Sequence, residues 1–237
     1  MLGDFARAAG YRLIIRDEVG STMEEARRAL HQGDPGLLWI VARSQNAGRG
    51  RHGRHWTSPP GNLYASLLLV NPCEPALAPQ LGFVAGLALH DAAARVTGLT
   101  APRLALKWPN DLLVYGAKCS GLLLEGESGA GRFAVIAGLG INIASCAQGT
   151  PYPASFLRAH APDVTIEAVL EEAGASLAGV VRAQYFVTDR AYCEPVLAVC
   201  GEVFREVRPA AGIYVVTGLL KPEMKVEIEV TARLARP

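Results

Sequence analysis

The chain has no long apolar run, no paired cysteines and no excess of either charge. Its longest apolar stretches fall well short of the ~20 residues a membrane span needs. Residues 1–16 break their apolar content with Asp4, Arg7 and Arg12, so they lack the core of a signal peptide. The five cysteines, Cys73, Cys119, Cys146, Cys193 and Cys200, are odd in number and scattered. With no Cys-x-x-Cys pair they suggest neither a zinc site nor a disulfide framework, and a reducing cytoplasm fits them. Charged residues make up only 19% of the chain, below the usual share, which excludes a disordered or broadly nucleic-acid-coating protein. Lysine plus arginine number 23 against 22 acids, so any dense charge is local. The P-loop pattern Gly-x-x-x-x-Gly-Lys-Ser/Thr is missing. The one glycine-rich stretch is not followed by a helix, which excludes the dinucleotide fingerprint. There is no internal repeat.

What is present is enough apolar material for a proper core: 50% of 237 residues. That length suits one large domain, or a medium one with a small one. The conspicuous stretch is Gln45-Asn-Ala-Gly-Arg-Gly-Arg-His-Gly-Arg-His-Trp56. From residue 43 to 56 it holds Arg43, Arg49, Arg51 and Arg54 and no acid. Gly48, Gly50 and Gly53 forbid a stable helix and allow the backbone close to a ligand. Such a loop repels itself when empty and is expected to be mobile and to order around an anion. Three readings stand for it: a solvated basic loop, an Arg-Gly RNA-binding segment, or a phosphate or nucleotide site.

Hydropathy patterning around it predicts strands at 11–17, 37–42, 62–70, 104–107, 112–115, 118–127 and 132–143. A helix is expected from Ser21 or Thr22 to about Leu30. Ser21 with Glu24, or Thr22 with Glu25, has the spacing of a capping box, which by itself could explain both hydroxyls. Residues 79–97 repeat apolar positions at three and four and stop at Gly98, a second helix. Short strands joined by tight turns predict an antiparallel meander with helices against one face, up to about residue 145. Beyond a Gly/Pro-rich connection at 148–153, an amphipathic helix is expected at 165–177. Then come a strand (180–187), a helix (192–204) and two strands (213–218, 225–233).

Polar residues gather at the predicted strand ends: Ser21, Thr22, Gln45, Arg49, Arg51, Trp56, Lys107, Asn110, Asp111, Lys118 and Asn142. Each alone could be an ordinary cap, turn or solvated end. Together they supply hydroxyls and amides for a small polar head, cations for phosphate and a ring for a base.

At this point the sequence resembles the biotin protein ligases. The resemblance rests on Ser21-Thr22, the Gly48-Arg49-Gly50-Arg51-His52-Gly53-Arg54 loop, Ser58-Pro59-Pro60-Gly61-Asn62-Leu63-Tyr64, Lys107-Trp108-Pro109-Asn110-Asp111, Lys118-Cys119-Ser120-Gly121-Leu122-Leu123 and Gly138-Leu139-Gly140-Ile141-Asn142. It covers residues 10–160. It implies an α+β fold with a mixed, largely antiparallel sheet and helices on one face, related to class II synthetases. It also implies biotin and ATP, with Mg²⁺, as reactants, biotinyl-AMP as intermediate, and a lysine of a biotin carboxyl-carrier domain as acceptor. By the resemblance, Ser21, Thr22 and Gln45 hold the ureido ring, with Met23, Arg49, Gly50, Arg51, Lys118 and Gly121 completing the biotin site. Gly48, Arg54, Trp56, Lys107, Asn110 and Asn142 serve ATP, with Trp56 stacked on adenine. Arg49, Arg51 and Lys118 offset phosphoryl charge, and Asp111 takes the acceptor's proton. No dedicated metal ligands are expected. Met23 departs from the Asn or Asp usual after Ser-Thr. With the first strand near residue 11, no DNA-binding winged helix is expected.

Residues 165–233 instead resemble the second half of the reactive-intermediate (enamine/imine) deaminases. The matching text is Ala168-Val169-Leu170-Glu171-Glu172-Ala173-Gly174, Tyr185-Phe186-Val187-Thr188-Asp189, Arg208-Pro209-Ala210 and Pro222-Glu223-Met224-Lys225-Val226-Glu227-Ile228-Glu229. Ala211 or Gly212 stands where that family's carboxylate-binding arginine belongs. The expected organisation is a catalytic domain over 1–162 and a smaller α/β unit over 163–237, with homo-oligomers possible. Alternatives to a ligase are a weakened biotin- or adenylate-binding protein with a C-terminal assembly segment, or a deaminase.

Overall fold

Alternating strands of the first two-thirds of the chain build one seven-stranded sheet, ordered β1-β2-β3-β7-β6-β5-β4. The computed structural model describes residues 4–129, 132–166, 168, 169, 180–203, 210–219 and 225–232. The strands are β1 (Arg12–Val19), β2 (Leu38–Gln45), β3 (Leu63–Val70), β4 (Leu104–Lys107), β5 (Asp111–Val114), β6 (Ala117–Gly129) and β7 (Arg132–Ile141). Only β1 and β2 run parallel, which requires a crossover, and α2 (Thr22–His31) supplies it. Every other pairing is antiparallel. A short helix α1 (Asp4–Ala8), without a predicted counterpart, precedes β1. The second expected helix is α3 (Leu81–Thr97), entered through a 3₁₀ turn at Pro75–Gln80. It closes at Gly98, whose φ of 69° is the left-handed cap that glycine adopts without strain.

Side chains leave a strand on alternate faces, and each face of this sheet has its own core. Val41, Leu63, Ala65, Leu122 and Ile141 pack with Leu89 and Ala93 of α3. Their strand neighbours Leu38, Ile40, Leu68, Ala134 and Ile136 pack with Met23, Ala26 and Leu30 of α2. The mixed, largely antiparallel sheet is the expected one; its helices divide between the two faces instead of sharing one.

The first compact unit extends over Met1–Gly174. Val164 and Val169 are buried in its α3-side core with Leu157. Ile166, Ala168 and Val169 are helical; Leu170, Ala173 and Leu177 of the expected helix lie outside the described residues.

The second unit, Ala175–Pro237, contains a three-stranded sheet, ordered β10-β8-β9. β8 (Val180–Val187) pairs parallel with β9 (Ala210–Val215) and antiparallel with β10 (Val226–Ala232). Helix α4 (Cys193–Val203) joins the parallel pair, with Val196 and Cys200 packed near Tyr185 and Ile213. β9 starts at Ala210, earlier than the expected 213, and ends at Val215, because its register follows β8 from Arg182 to Val187. The motif residues Glu171 to Gly174, Arg208-Pro209 and Pro222 to Met224 lie outside the described residues.

Candidate functional site

On the α2 face, where β3, β7 and β6 meet, the side chains become small. Ser66 of β3 pairs with Gly138, and Gly140 of β7 with Gly121 of β6. This leaves a depression floored by backbone, beyond the N-terminus of α2. Ser21 caps that helix, its Oγ accepting from the Met23 N–H. Thr22 donates its N–H (2.8 Å) and hydroxyl (3.2 Å) to Gln45 Oε1 and accepts from the Ser66 hydroxyl at 2.8 Å. The Gln45 amide then donates to Ser58 Oγ. Ser21, Thr22 and Ser66 are all buried, so this chain of bonds is what makes their burial tolerable. Capping therefore explains Ser21, whereas Thr22 reaches sideways into the site. Glu24 does not return to Ser21 as a capping box would have it; it turns outward to Arg27 and Arg49.

The arginine loop has internal bonds of its own. Arg49 and His55 form a bridge, and the Gly50 N–H donates to the Arg54 carbonyl at 2.7 Å. Between them is a 3₁₀ turn over Arg51–Gly53, with His52 and Gly53 both left-handed at φ 57° and 69°. Gly48 is required by contact: a Cβ there would lie 2.6 Å from the Trp56 carbonyl oxygen and 2.7 Å from Ser58 Oγ. The loop thereby lays the Trp56 ring across the glycine floor. A Cβ on Gly140 would stand 2.5 Å from Trp56 Nε1, and one on Gly138 would stand 2.6 Å from Met23 Sδ. Trp56 Nε1 is buried without a hydrogen-bond partner.

Lys118 owes its direction to a β-bulge. Ser120 pairs with Leu112, yet Lys118 pairs with Leu113, a one-residue slip that turns Lys118 to the face of Gly121. Its Nζ lies 2.7 Å from Asp111 Oδ1, and 5.5 and 5.3 Å from the ring centres of Trp56 and Tyr152. Asp111 Oδ1 is buried and lacks an aligned hydrogen bond, so the contact is an ion pair held by proximity. Asp111 is positioned by the β4–β5 hairpin, where it faces Lys107 across a turn made of Trp108, Pro109 and Asn110. Asn110 Nδ2 donates to the Leu122 carbonyl at 2.8 Å and fixes that turn to β6.

These elements enclose one cavity of about 170 Å³. Ser21, Thr22, Met23 and Gln45 line one side, and Arg49, Gly50, Arg51, Arg54 and Trp56 line the loop side. Asn110, Asp111, Lys118 and Gly121 line it as well, as do Tyr152 and, on the loop side, His52 and His55.

A family profile described as the biotin/lipoate A/B protein ligase family matches residues 19–142. The chain belongs to this family. A biotin–[acetyl-CoA-carboxylase] ligase of Paracoccus denitrificans is 51% identical over 126 residues, covering 52% of this chain and 51% of that protein. The chain spans about half or less of the length of the curated relatives it matches. Among solved structures, biotin protein ligase from Leishmania major in complex with biotinyl-5-AMP aligns with a TM-score of 0.59. Its identity is 31%, over 68% of this chain and 71% of that one. The Aquifex aeolicus enzyme in complex with biotin and ATP gives 0.55, at 33% identity over 68% of each chain. A second profile, endoribonuclease L-PSP, matches residues 131–234, overlapping the first over β7. That match includes the stretch resembling deaminases.

Within the ligase family's motifs, three expected residues stand off the cavity lining. Lys107 is exposed on β4. Gly48 lies behind the loop against Trp56 and Ser58. Asn142 is buried, its amide donating to the Ser155 carbonyl at 3.1 Å and so tying down the segment after β7. That segment presents a residue the sequence did not single out. The Lys118 N–H donates to the Pro153 carbonyl, and the Ser155 N–H donates back to Lys118, which places Tyr152 beside the Lys118 ammonium. Nothing local marks Tyr152; only the pairing brings it there. Gly138 and Gly140 were visible as motif glycines, but their role as floor required the register. Glu125 and Arg27 gave no signal and Glu24 signalled only a capping box, because the helix, the loop and β6 that bring them together with Arg49 are distant in sequence. Among the described residues, no three His, Cys, Asp or Glu side chains gather into a metal site.

Proposed function

We propose that the first unit activates biotin with ATP as biotinyl-5'-AMP, releasing pyrophosphate, and then transfers biotin to one lysine of a biotin carboxyl-carrier domain. The observation that carries the reading is the cavity where Lys118, paired with Asp111, meets Trp56, the Thr22–Gln45 network and the cationic loop. Thr22 and Gln45 offer a preformed row of hydroxyl and amide groups, the chemistry that fits a ureido ring. In the first step the biotin carboxylate attacks the α-phosphorus of ATP and negative charge grows on the phosphoryl oxygens. Arg51 and Arg54, exposed and without ion pairs among the described residues, and Lys118 are the cations available to offset it. The donor set does not fit a resident Mg²⁺; such an ion would arrive on the phosphates of ATP.

The cavity is smaller than the ~300–1,000 Å³ that drug-sized ligands occupy. Admitting an adenylate therefore requires the Trp56 ring and its loop to shift off Gly140 and Gly121. Trp56 is then free to stack on the base. In the second step the acceptor ammonium must lose a proton, with an ordinary pKa of about 10.4. Asp111 is the carboxylate that lines the cavity, and it is the base we assign to that proton. Lys118 occupies its carboxylate, so drawing Lys118 to the adenylate frees Asp111 for the acceptor.

The test is to incubate the protein with biotin, ATP and a carrier domain. Covalent biotin on a single carrier lysine, with stoichiometric pyrophosphate, is expected. Biotin binding without transfer would overturn the ligase reading and leave a binding protein.

A further inference from the structure

The arginine loop contains no acid, yet one of its arginines is already neutralised. Arg49 meets Glu24 Oε1 of α2 through one guanidinium nitrogen and Glu125 Oε2 of β6, at 3.2 Å, through the other. The same two carboxylates hold Arg27, one on each terminal nitrogen. Arg27 Nε also reaches Glu127 at 3.2 Å, and His31 closes on Glu127. Two arginines and two carboxylates thus form a closed ring that ties the start of the loop to a helix and to a strand. With Glu127 the ring has three carboxylates against two arginines, so it offers an incoming anion no net positive charge. Arg51, two residues on, lines the cavity and is exposed.

We infer that Glu24, Glu125 and Arg27 are positioning residues: they clamp Arg49 as a strut for the loop and leave Arg51 as the cation that meets the ligand. Three features carry this. The four groups come from three separate elements, so their meeting constrains the loop. Glu24 and Glu125 are partly buried rather than free in solvent, their side chains 41% and 29% exposed. The loop has no acid of its own to hold Arg49. The geometry of the clamp stands independently, but its consequence for catalysis rests on the ligase reading above.

The experiment has two readouts. Trypsin cleavage after Arg51 and Arg54, followed by mass spectrometry, reports how well the loop is held and requires no activity. Steady-state kinetics report KM for biotin and kcat separately. In Glu24→Gln/Glu125→Gln, cleavage at both bonds and KM for biotin should each rise about tenfold, and in Glu125→Gln alone about threefold, the size expected for part-exposed ion pairs. kcat should stay within about twofold, and Glu125→Asp should recover part of the loss. Unchanged cleavage in a folded variant overturns the clamp. A fall in kcat with unchanged KM overturns its positioning role. If the double variant does not fold, the single variant decides by the same criteria. If the wild type does not ligate biotin, the proteolysis arm still tests the strut while the functional reading fails.

Discussion

Lys118 and Asp111 hold each other at 2.7 Å with both side chains mostly buried. Lys118→Met keeps most of the volume and loses the charge. Pyrophosphate release should fall by about two to three orders of magnitude, in the range of a lost transition-state donor, while the melting curve remains cooperative. An unchanged rate would remove Lys118 from adenylate formation. Arg51→Gly should weaken retention of biotinyl-AMP and let it leak onto nearby amines, read as biotin on surface lysines of a bystander protein. Strict acceptor choice in that variant would show that Arg51 does not guard the intermediate. Cys119, wholly buried beside β7, has its thiol pushed up to about 12 by burial, with Cys146 adding to the shift. The thiolate is the reactive form, so Cys119 should resist alkylation until the protein unfolds. Rapid labelling of native Cys119 would contradict the burial. At this scale the sequence showed which residue types gather, and most of its site residues line one cavity. Lys107, Gly48 and Asn142 do not, because what decides lining is the direction of a side chain, set here by a hairpin, a loop contact and a buried amide bond.

Helix α2 is both a structural and a functional element. Its apolar side packs Met23, Ala26 and Leu30 on the sheet. Its N-terminus presents Thr22 to the cavity, and its outer side carries Glu24, Arg27 and His31 into the clamp. Glu24 is held below the ordinary carboxylate range, first by the hydrogen bond from Arg27 and then by Arg49, against opposing burial. Glu127 is shifted the same way, first by His31. A depressed folded pKa means that the stabilisation is present above the ordinary Glu value of about 4.3 and is lost as pH falls through the folded value. Thermal melts between pH 6 and pH 3 should therefore fall less steeply for Glu24→Gln than for the wild type. Parallel curves would show that the pair contributes nothing. The elements themselves were legible from periodicity, since α2, α3 and seven strands lie where their patterns place them. The division of the helices between two faces was not, because a face is assigned only when neighbouring strands fix each other's register.

The chain joins a unit that encloses the cavity to one with a three-stranded sheet. All cavity-lining residues lie between Ser21 and Tyr152, within the unit ending at Gly174. In the second unit β9 and β10 each have a strand on one side only among the described residues, and β9 exposes Tyr214 and Val215. Such edges recruit other strands, so light scattering should show mass rising with concentration, and a strictly monomeric protein would remove the argument. Turnover of amino-acid-derived imines should stay at background, since Ala211 and Gly212 offer no cation for a substrate carboxylate. The sequence by itself determined the composition of the site, the run of elements and the change of character after residue 160, because these depend on residue type and local period. Only the tertiary structure decided that Lys118 turns to Asp111 through a bulge, that Tyr152 arrives beside them and that Glu24 and Glu125 take hold of Arg49. Each of those contacts joins residues far apart in the chain, and strand register and side-chain direction bring them together.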